Sequence, residues 1–307
     1  MNVNINLNEL IMTLVSKASY DSLGLDDGFD KYLLLIRQTV TEATYKCYRS
    51  HANTVIKDLA SDGIIYFNQL EDKIIFNYVE KLKLRGCKNS SINKNVELLI
   101  RCYKQLAKLG FLPVQDFQYK HLKEALPPIV IVDEDRLRKI LEHAKTLNDK
   151  SNLVINLLIS TGIRRTELTK IRIENIDLPR NRIYLIDTKC GFGRYVHYYP
   201  TLKDLIINVM KDNTTYLFEN ADGTHMTCNA VSMIVKRMAA QLNMPGLSPH
   251  KFRHTYATML LKNGANIGAV RLLMGHSSLS VTHRYLDFTS DELEDINTKC
   301  NPLSKIE

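Results

Sequence analysis

The sequence predicts a mainly α-helical protein, in which a small all-helical N-terminal domain is followed by a mixed helical domain with a small antiparallel β-sheet. A chain of 307 residues is longer than one hydrophobic core usually serves, which favours two domains. Apolar residues recur at helical spacing along most of the chain. Two short runs rich in β-forming residues, 182–187 and 195–199, lie close enough in sequence to pair as a hairpin.

The N-terminal region contains helical patterns and no convincing strand before residue 120. An amphipathic pattern over residues 7–19 is followed by an acidic stretch, Gly24 to Gly28, that is typical of a loop. We assign residues 1–27 to a leading segment and residues 28–125 to a helical domain. Its helices are expected at residues 29–38, 42–61, 71–85 and 90–109, with Thr41 as the N-cap of the second.

Residues 126–132 form the predicted linker. Leu126 and the two prolines that follow it cannot continue a helix, and Asp133 is suited to cap a helix over 134–146. The second domain, with its C-terminal tail, therefore spans 133–307. Its further helices are expected at 151–160 and 164–172, before the hairpin, and from residue 229 onward.

The composition indicates a soluble protein and favours a polyanionic partner without requiring one. Forty-one basic and 33 acidic residues give a formal charge of +8 and a pI near 9.0. No run of about 18 apolar residues suggests a membrane span. The stretch from Met1 to Glu9 resembles neither a signal peptide nor a transit peptide, so we expect a cytoplasmic protein. The six cysteines are scattered without zinc-ligand spacing, and free thiols are expected.

Basic side chains concentrate in one part of the helical domain. Residues 81–108 hold eight of them against the single acid Glu97. Such a run fits a DNA-binding surface and a merely solvated helix face equally well. Its members are Lys81, Lys83, Arg85, Lys88, Lys94, Arg101, Lys104 and Lys108.

The segment 161–168, Thr-Gly-Ile-Arg-Arg-Thr-Glu-Leu, places an arginine and a glutamate three residues apart at the start of a helix. Arg164 and Glu167 therefore share one helix face. By itself this pair is as consistent with a surface ion pair as with a functional site.

The segment 248–253 carries helix start signals directly before a histidine and an arginine. Ser248 is a capping residue and Pro249 suits the first turn. His250 and Arg253 are then expected to project together near a helix N-terminus, where a phosphate would be favoured by the helix dipole and by the guanidinium group. In isolation, such a histidine–arginine pair is more often structural.

A third segment places a histidine and a tyrosine nine residues apart. A short apolar helix over 267–274 is expected to stop at Gly275 and to present His276 directly after it. Tyr285 ends a brief helix that begins at Ser280. A lone tyrosine would be expected in the core, and the other motifs change that expectation.

Together these segments resemble the tyrosine recombinase (phage integrase) family. They are T-G-I-R-x-x-E-L, a lysine in a β-hairpin, H-x-x-R-H-T, G-H-S-S and a tyrosine nine residues after the histidine of G-H-S-S. The order and spacing of these motifs are highly specific, and they cover residues 134–290. Residues 28–120 resemble the family's core-binding domain in length, helicity and charge. The resemblance implies the tyrosine recombinase architecture.

The resemblance also implies roles for individual residues in cutting and rejoining DNA. Tyr285 would attack a DNA phosphodiester and form a 3′-phosphotyrosyl bond, and Lys189 would protonate the leaving 5′ oxygen. Because the ester stores the bond energy, neither ATP nor a metal is implied. The hairpin around Lys189 is less basic than in many relatives, and the family's usual tryptophan is absent. The full set is Arg164, Lys189, His250, Arg253 and His276 as activating residues, Tyr285 as nucleophile, and Glu167 in support.

The partner implied by the resemblance is double-stranded DNA. The protein would act as a homo-tetramer on paired sites and as a monomer or dimer otherwise, with a DNA-bending or regulatory accessory protein in some reactions and with the nucleoid as its location. A phage or mobile-element repressor that keeps the scaffold without recombining is the alternative, and a type IB topoisomerase ranks third. Backbone contacts are expected from Lys81, Lys83, Arg85, Lys88, Lys94, Arg101 and Lys104.

Overall fold

The structure, a computed structural model, describes residues 23–124, 130–186 and 193–275. The chain divides into two compact units between residues 126 and 127. Each unit has its own hydrophobic core, and the two are described separately. Within the described ranges, every helix is too short or too polar to cross a membrane.

The first unit contains helices packed around an apolar core. Val55, Ile92 and Val96 are completely buried in that core. The cap expected at Thr41 is present, since its side chain accepts a hydrogen bond from the backbone of Thr44. The helices are α1 (Leu25–Ile36), α2 (Glu42–Ala60), α3 (Asp72–Leu84) and α4 (Asn89–Lys108), with a 3₁₀ turn at Phe67–Gln69.

The loop predicted from Gly24 to Gly28 is wrong, because α1 begins at Leu25 and runs through Gly28. A Cβ atom at Gly28 would lie 2.3 Å from the ring of Phe67. The glycine therefore marks a close approach between a helix and an aromatic ring rather than a turn. The predicted helix over 7–19 lies outside the described residues.

The second unit combines helices with a three-stranded antiparallel sheet of order β1-β2-β3. In the sheet, Ile183 pairs with Val196, and both side chains are buried. The strands are β1 (Ile176–Asp177), β2 (Arg182–Leu185) and β3 (Arg194–His197). The helices are α5 (Glu134–Ala144), α6 (Asp149–Thr161), α7 (Arg165–Thr169), α8 (Lys203–Met210), α9 (Cys228–Gln241), α10 (Pro249–Lys262) and α11 (Ile267–Met274), with 3₁₀ turns at Ile173–Asn175 and Pro200–Leu202.

Helix α6 lies at the centre of this unit. Its residues Leu153, Val154 and Ile155 are completely buried, and the helix packs against α5, α8 and α10. Burial on several sides explains why its sequence is apolar around most of its circumference rather than on a single stripe.

The helix predicted over 164–172 is shorter than expected, because α7 ends at Thr169. The backbone carbonyl of Ile171 instead accepts a hydrogen bond from Leu217, and the amide of Ile173 donates to Thr215. Pairing with a distant segment therefore ends the helix before its local pattern runs out. Helix α8 and strand β1 were not predicted.

Candidate active site

A left-handed turn after α6 places the first site residue. Gly162 follows the last residue of α6 and has a φ of 59°, a conformation that favours glycine. A Cβ atom there would also lie 2.4 Å from the ring of Tyr256. Ile163 is buried after the turn, and Arg164 then becomes the N-cap residue of α7. Backbone geometry thus fixes the position of Arg164.

The Glu167 side chain caps the start of α7 by accepting two hydrogen bonds from Arg164. The guanidinium Nη1 donates to Oε1 of Glu167 at 2.8 Å, and the backbone amide of Arg164 donates to Oε2 at 3.0 Å. The Glu167 side chain is 2% exposed and that of Arg164 is 21% exposed. The pair therefore has a buried carboxylate and a partly exposed arginine, and it is not a surface ion pair.

A second arginine, Arg194 at the start of β3, binds the same carboxylate. Its Nη1 and Nη2 donate to Oε1 and Oε2 of Glu167 at 2.9 and 2.8 Å, and its Nε donates to the carbonyl of Leu273 at 3.0 Å. The sequence motifs assign Arg194 no role. No local signal marks it, because its partner Glu167 lies 27 residues earlier in the chain.

Helix α10 supplies the third arginine. Ser248 caps this helix by accepting from the amide of Lys251, and Pro249 occupies its first turn, as the sequence predicted. Arg253 is only 3% exposed. It donates to the carbonyl of Gly162 at 2.6 Å and also to the carbonyl of Met274. His250, one turn earlier, lies with its ring 4.3 Å from that of His254, centroid to centroid.

The three arginines converge on the C-terminal end of α11. Three consecutive carbonyls there each accept a hydrogen bond from a different guanidinium group: Leu273 from Arg194, Met274 from Arg253 and Gly275 from Arg164. The C-terminus of a helix carries partial negative charge, so cations are favoured at this end. Gly275 ends the helix with a φ of 61°, as predicted.

The site keeps a net positive charge although Glu167 is ionised at neutral pH. Burial alone would raise the pKa of this carboxyl group. The hydrogen bonds and charge of Arg194, followed by the hydrogen bonds from Arg164, outweigh burial and hold the pKa below its usual range. Three guanidinium groups against one carboxylate leave two positive charges around the end of α11.

A cavity of about 640 Å³ opens beside these arginines. Arg164, His250 and Arg253 line it, together with two further basic residues, Arg165 and Lys236. Arg165 donates to the hydroxyl of Ser232 at 2.6 Å. A cavity lined by five such basic groups is suited to an anion with the charge and hydrogen-bonding capacity of a phosphate diester.

The structure thus brings together four of the predicted site residues: Arg164, Glu167, His250 and Arg253. The other three lie outside the described residues. They are Lys189, His276 and Tyr285.

In the first unit, most of the predicted DNA-binding residues have acidic neighbours. Lys81 bonds Asp62 at 2.7 Å and Arg85 bonds Asp58 at 2.6 Å. Lys83 pairs with Glu80, Lys104 with Asp116 and Arg101 with Glu97. Lys88 and Lys94 are exposed and, within the described part of the unit, have no acidic partner.

Arg101 also contacts a neighbouring helix. It donates to the hydroxyl of Tyr48 on α2 at 3.3 Å. Farther along the same two helices, His51 bonds the amide oxygen of Asn95 at 2.6 Å. One basic residue of α4, Arg101, therefore lies beside an aromatic side chain of α2.

The second unit matches a known protein family, and the whole chain has curated relatives. Residues 131–292 match the phage integrase family. The chain is also 25% identical over 295 residues to tyrosine recombinase XerC of Oceanobacillus iheyensis, covering 90% of this chain and 95% of that protein. It is 28% identical over 291 residues to XerC of Staphylococcus saprophyticus, covering 90% and 97%.

A solved structure shares the fold. The Tn1549 transposon integrase in complex with a circular intermediate DNA superposes with a TM-score of 0.72 at 18% identity, covering 91% of this chain and all of that one. The arginine-lined cavity of the second unit thus lies in a fold that another protein uses while bound to DNA.

Proposed function

The chain belongs to the phage integrase family, and on that premise we propose that its arginine-lined cavity holds the scissile phosphate of a DNA strand. The protein is a tyrosine-type site-specific DNA recombinase, and DNA is its partner. The observation that carries the residue assignment is the placement of Arg164, His250 and Arg253 on one cavity wall. Their fixed positions preorganise the site before DNA binds.

Arg164 is suited to contact the phosphate directly. A guanidinium group carries five N–H donors, and Arg164 uses one on Glu167 and one on Gly275. The remaining donors face no partner in the described residues. They would bind the non-bridging oxygens, on which negative charge grows as the tyrosine attacks. Arg253 and His250 would support the same phosphate from α10.

The proposed reaction exchanges one phosphoester for another. The phenolic oxygen of Tyr285 forms a bond to phosphorus, and the bond from phosphorus to the 5′ oxygen breaks. The phenol has a pKa of about 10, so His250 or His276 would accept its proton. Lys189 would give a proton to the leaving 5′ oxygen. Reversal by the 5′-hydroxyl of another strand rejoins the DNA.

The two domains would bind the duplex together. We assign the helical domain, residues 28–125, to backbone contacts through its basic residues and the domain 133–307 to catalysis. Recombination joins two sites, so the active assembly would be a homo-tetramer on paired sites, with an accessory protein where the reaction needs directionality.

The test begins by finding a site, since the DNA sequence is unknown. Wild-type protein would select duplexes from a random pool, and the recovered site would be rebuilt with a nick beside the scissile phosphate. We expect wild type to form a covalent adduct that survives denaturation. Tyr285→Phe should bind the site equally well and form no adduct, because it loses one nucleophilic oxygen and little contact area.

Two results would contradict the proposal. Adduct formation by Tyr285→Phe at the wild-type level would place the nucleophile elsewhere. Tight binding by wild type without any adduct would favour the repressor alternative. Arg253→Ala, which removes a proposed phosphate ligand, provides a second check and should also form little adduct.

A further inference from the structure

The carboxylate of Glu167 is shared between two arginines of different exposure. Arg194 binds both oxygens at 2.9 and 2.8 Å, whereas the Arg164 side chain binds only Oε1, at 2.8 Å. The side chain of Arg194 is 10% exposed and that of Arg164 is 21% exposed. Arg164 lines the cavity proposed to hold the phosphate and Arg194 does not. One arginine is thus placed to meet a ligand, and the other is placed to hold the carboxylate.

A buried carboxylate without Arg194 would work against phosphate binding. Its negative charge would repel the phosphate, since like charges repel strongly where water is excluded. Both oxygens of the Glu167 carboxylate would also be available to the Arg164 side chain. If Arg164 bound both of them, fewer of its N–H groups would remain for a phosphate. Arg194 occupies both oxygens and cancels that charge.

Arg194 also binds the C-terminal end of α11. Its Nε donates to Leu273, and Arg164 donates to Gly275, two residues later. A Cβ atom at residue 275 would lie 2.8 Å from Nη1 of Arg194, so the glycine leaves room for the guanidinium group. Arg194 and Arg164 therefore share two supports, a carboxylate and a helix end, that set their relative position.

We propose that Arg194 is a positioning residue for DNA cleavage, which neutralises and orients Glu167 so that Arg164 presents its unused N–H groups to the scissile phosphate. The inference rests on the proposed function of Arg164. It adds to the site a residue of β3 that acts through Glu167 and does not touch the substrate.

The test is a double-mutant cycle on single-turnover cleavage. Wild type, Arg194→Ala, Glu167→Gln and the double variant would be pre-bound to the nicked substrate, and adduct formation would be timed. We expect Arg194→Ala to bind DNA as wild type does and to cleave about 100-fold more slowly, a decrease typical of a misplaced catalytic group. In the Glu167→Gln background the same substitution should cost less than about tenfold, because the charge that it neutralises is gone.

Arg194→Lys provides a variant that keeps the charge and removes the paired geometry. We expect a cleavage rate between those of wild type and Arg194→Ala. Thermal unfolding and DNA binding would confirm that each variant is folded. If Arg194→Ala does not fold, Arg194→Lys in the two backgrounds tests the paired geometry instead. Its smaller decrease should also be relieved by Glu167→Gln, because an amide offers one acceptor oxygen rather than two.

Four outcomes would overturn the inference. A wild-type cleavage rate in Arg194→Ala would show that the residue is dispensable. An equal decrease in both backgrounds would show that Arg194 acts through the fold of β3 rather than through Glu167. If wild type forms no adduct, the proposed function fails and the inference fails with it. If wild type and Arg164→Ala form the adduct at equal rates, the proposed function stands and the inference alone is overturned.

Discussion

Arg253 donates a hydrogen bond of 2.6 Å to the carbonyl oxygen of Gly162, although 91 residues separate them in the chain. The bond joins the first half of α10 to the turn that follows α6. That turn sets the position of Arg164, so the two arginines proposed to hold the phosphate are placed by one backbone segment. A substitution of Arg164 or Arg253 should therefore alter the position of the other arginine.

Replacing Gly162 by alanine should destabilise the protein more than replacing a left-handed glycine elsewhere. The left-handed conformation alone costs a non-glycine residue about 1 kcal/mol, and at Gly162 the added Cβ also meets Tyr256 at 2.4 Å. Gly223 is the matched control, with a φ of 78° and no atom within 4 Å of its Cβ position. Thermal unfolding should show the larger decrease for Gly162→Ala, and equal decreases would mean that Tyr256 moves aside freely.

Arg253→Lys should lower cleavage more than DNA binding. An ammonium group is a point charge and cannot span two carbonyls as the guanidinium group spans Gly162 and Met274. Leaving a buried carbonyl unsatisfied should also cost about 1–3 kcal/mol of stability. Gel-shift affinity and single-turnover cleavage would be compared. A fully active lysine variant would show that charge alone suffices at this position.

Glu167 should make stability depend on pH on the acid side. The pKa of Glu167 in the folded protein lies below its value in the unfolded chain, which is about 4.3. Ionised Glu167 therefore stabilises the fold fully at pH values above the unfolded pKa. This contribution is lost as the pH falls through the folded pKa. Glu167→Gln removes the titrating group. The stability difference between wild type and this variant, measured by urea unfolding, should shrink as the pH falls below about 4. A difference that stays constant there would show that another group carries the effect.

Neutralising Lys94, Arg101 and Lys104 together should weaken DNA binding and flatten its salt dependence. Each lysine or arginine that no longer binds a phosphate should lower the slope of log affinity against log salt by up to about one unit. Lys81→Ala is the matched control, because Lys81 bonds the side chains of Ser61 and Asp62 and the carbonyl of Asp58. It should change thermal stability more than the slope. An unchanged slope in the triple variant would mean that this face of α4 meets only solvent.

Local sequence signals were sufficient to predict helix ends that depend on residues close together in the sequence. The Ser248–Pro249 start of α10 and the Gly275 stop of α11 were both predicted and are present, because caps act within one helical turn. Helix α8 was missed although Leu202, Leu205, Ile206 and Val209 recur at helical spacing.

Contacts between distant segments could not be predicted in this way. The early end of α7 depends on two hydrogen bonds with a segment more than forty residues later, one that Ile171 accepts from Leu217 and one that Ile173 donates to Thr215. The role of Arg194 likewise depends on Glu167 and Leu273, which no spacing rule connects to it. The family motifs identified Arg164, Glu167, His250 and Arg253. Arg194, which binds Glu167, could be identified only from the fold.

The end of α11 is bound through its main chain, and this has a consequence for how its sequence can vary. An arginine that binds a carbonyl is indifferent to the side chain on that residue, so at Leu273, which is only partly buried, many replacements should be tolerated. The number of residues in α11 should be far less variable. Adding or removing one residue in α11 would turn its last carbonyls by about 100° and shift them by about 1.5 Å. All three arginines would then lose their acceptors on α11 at once, so a single-codon insertion there should be far more damaging than a substitution.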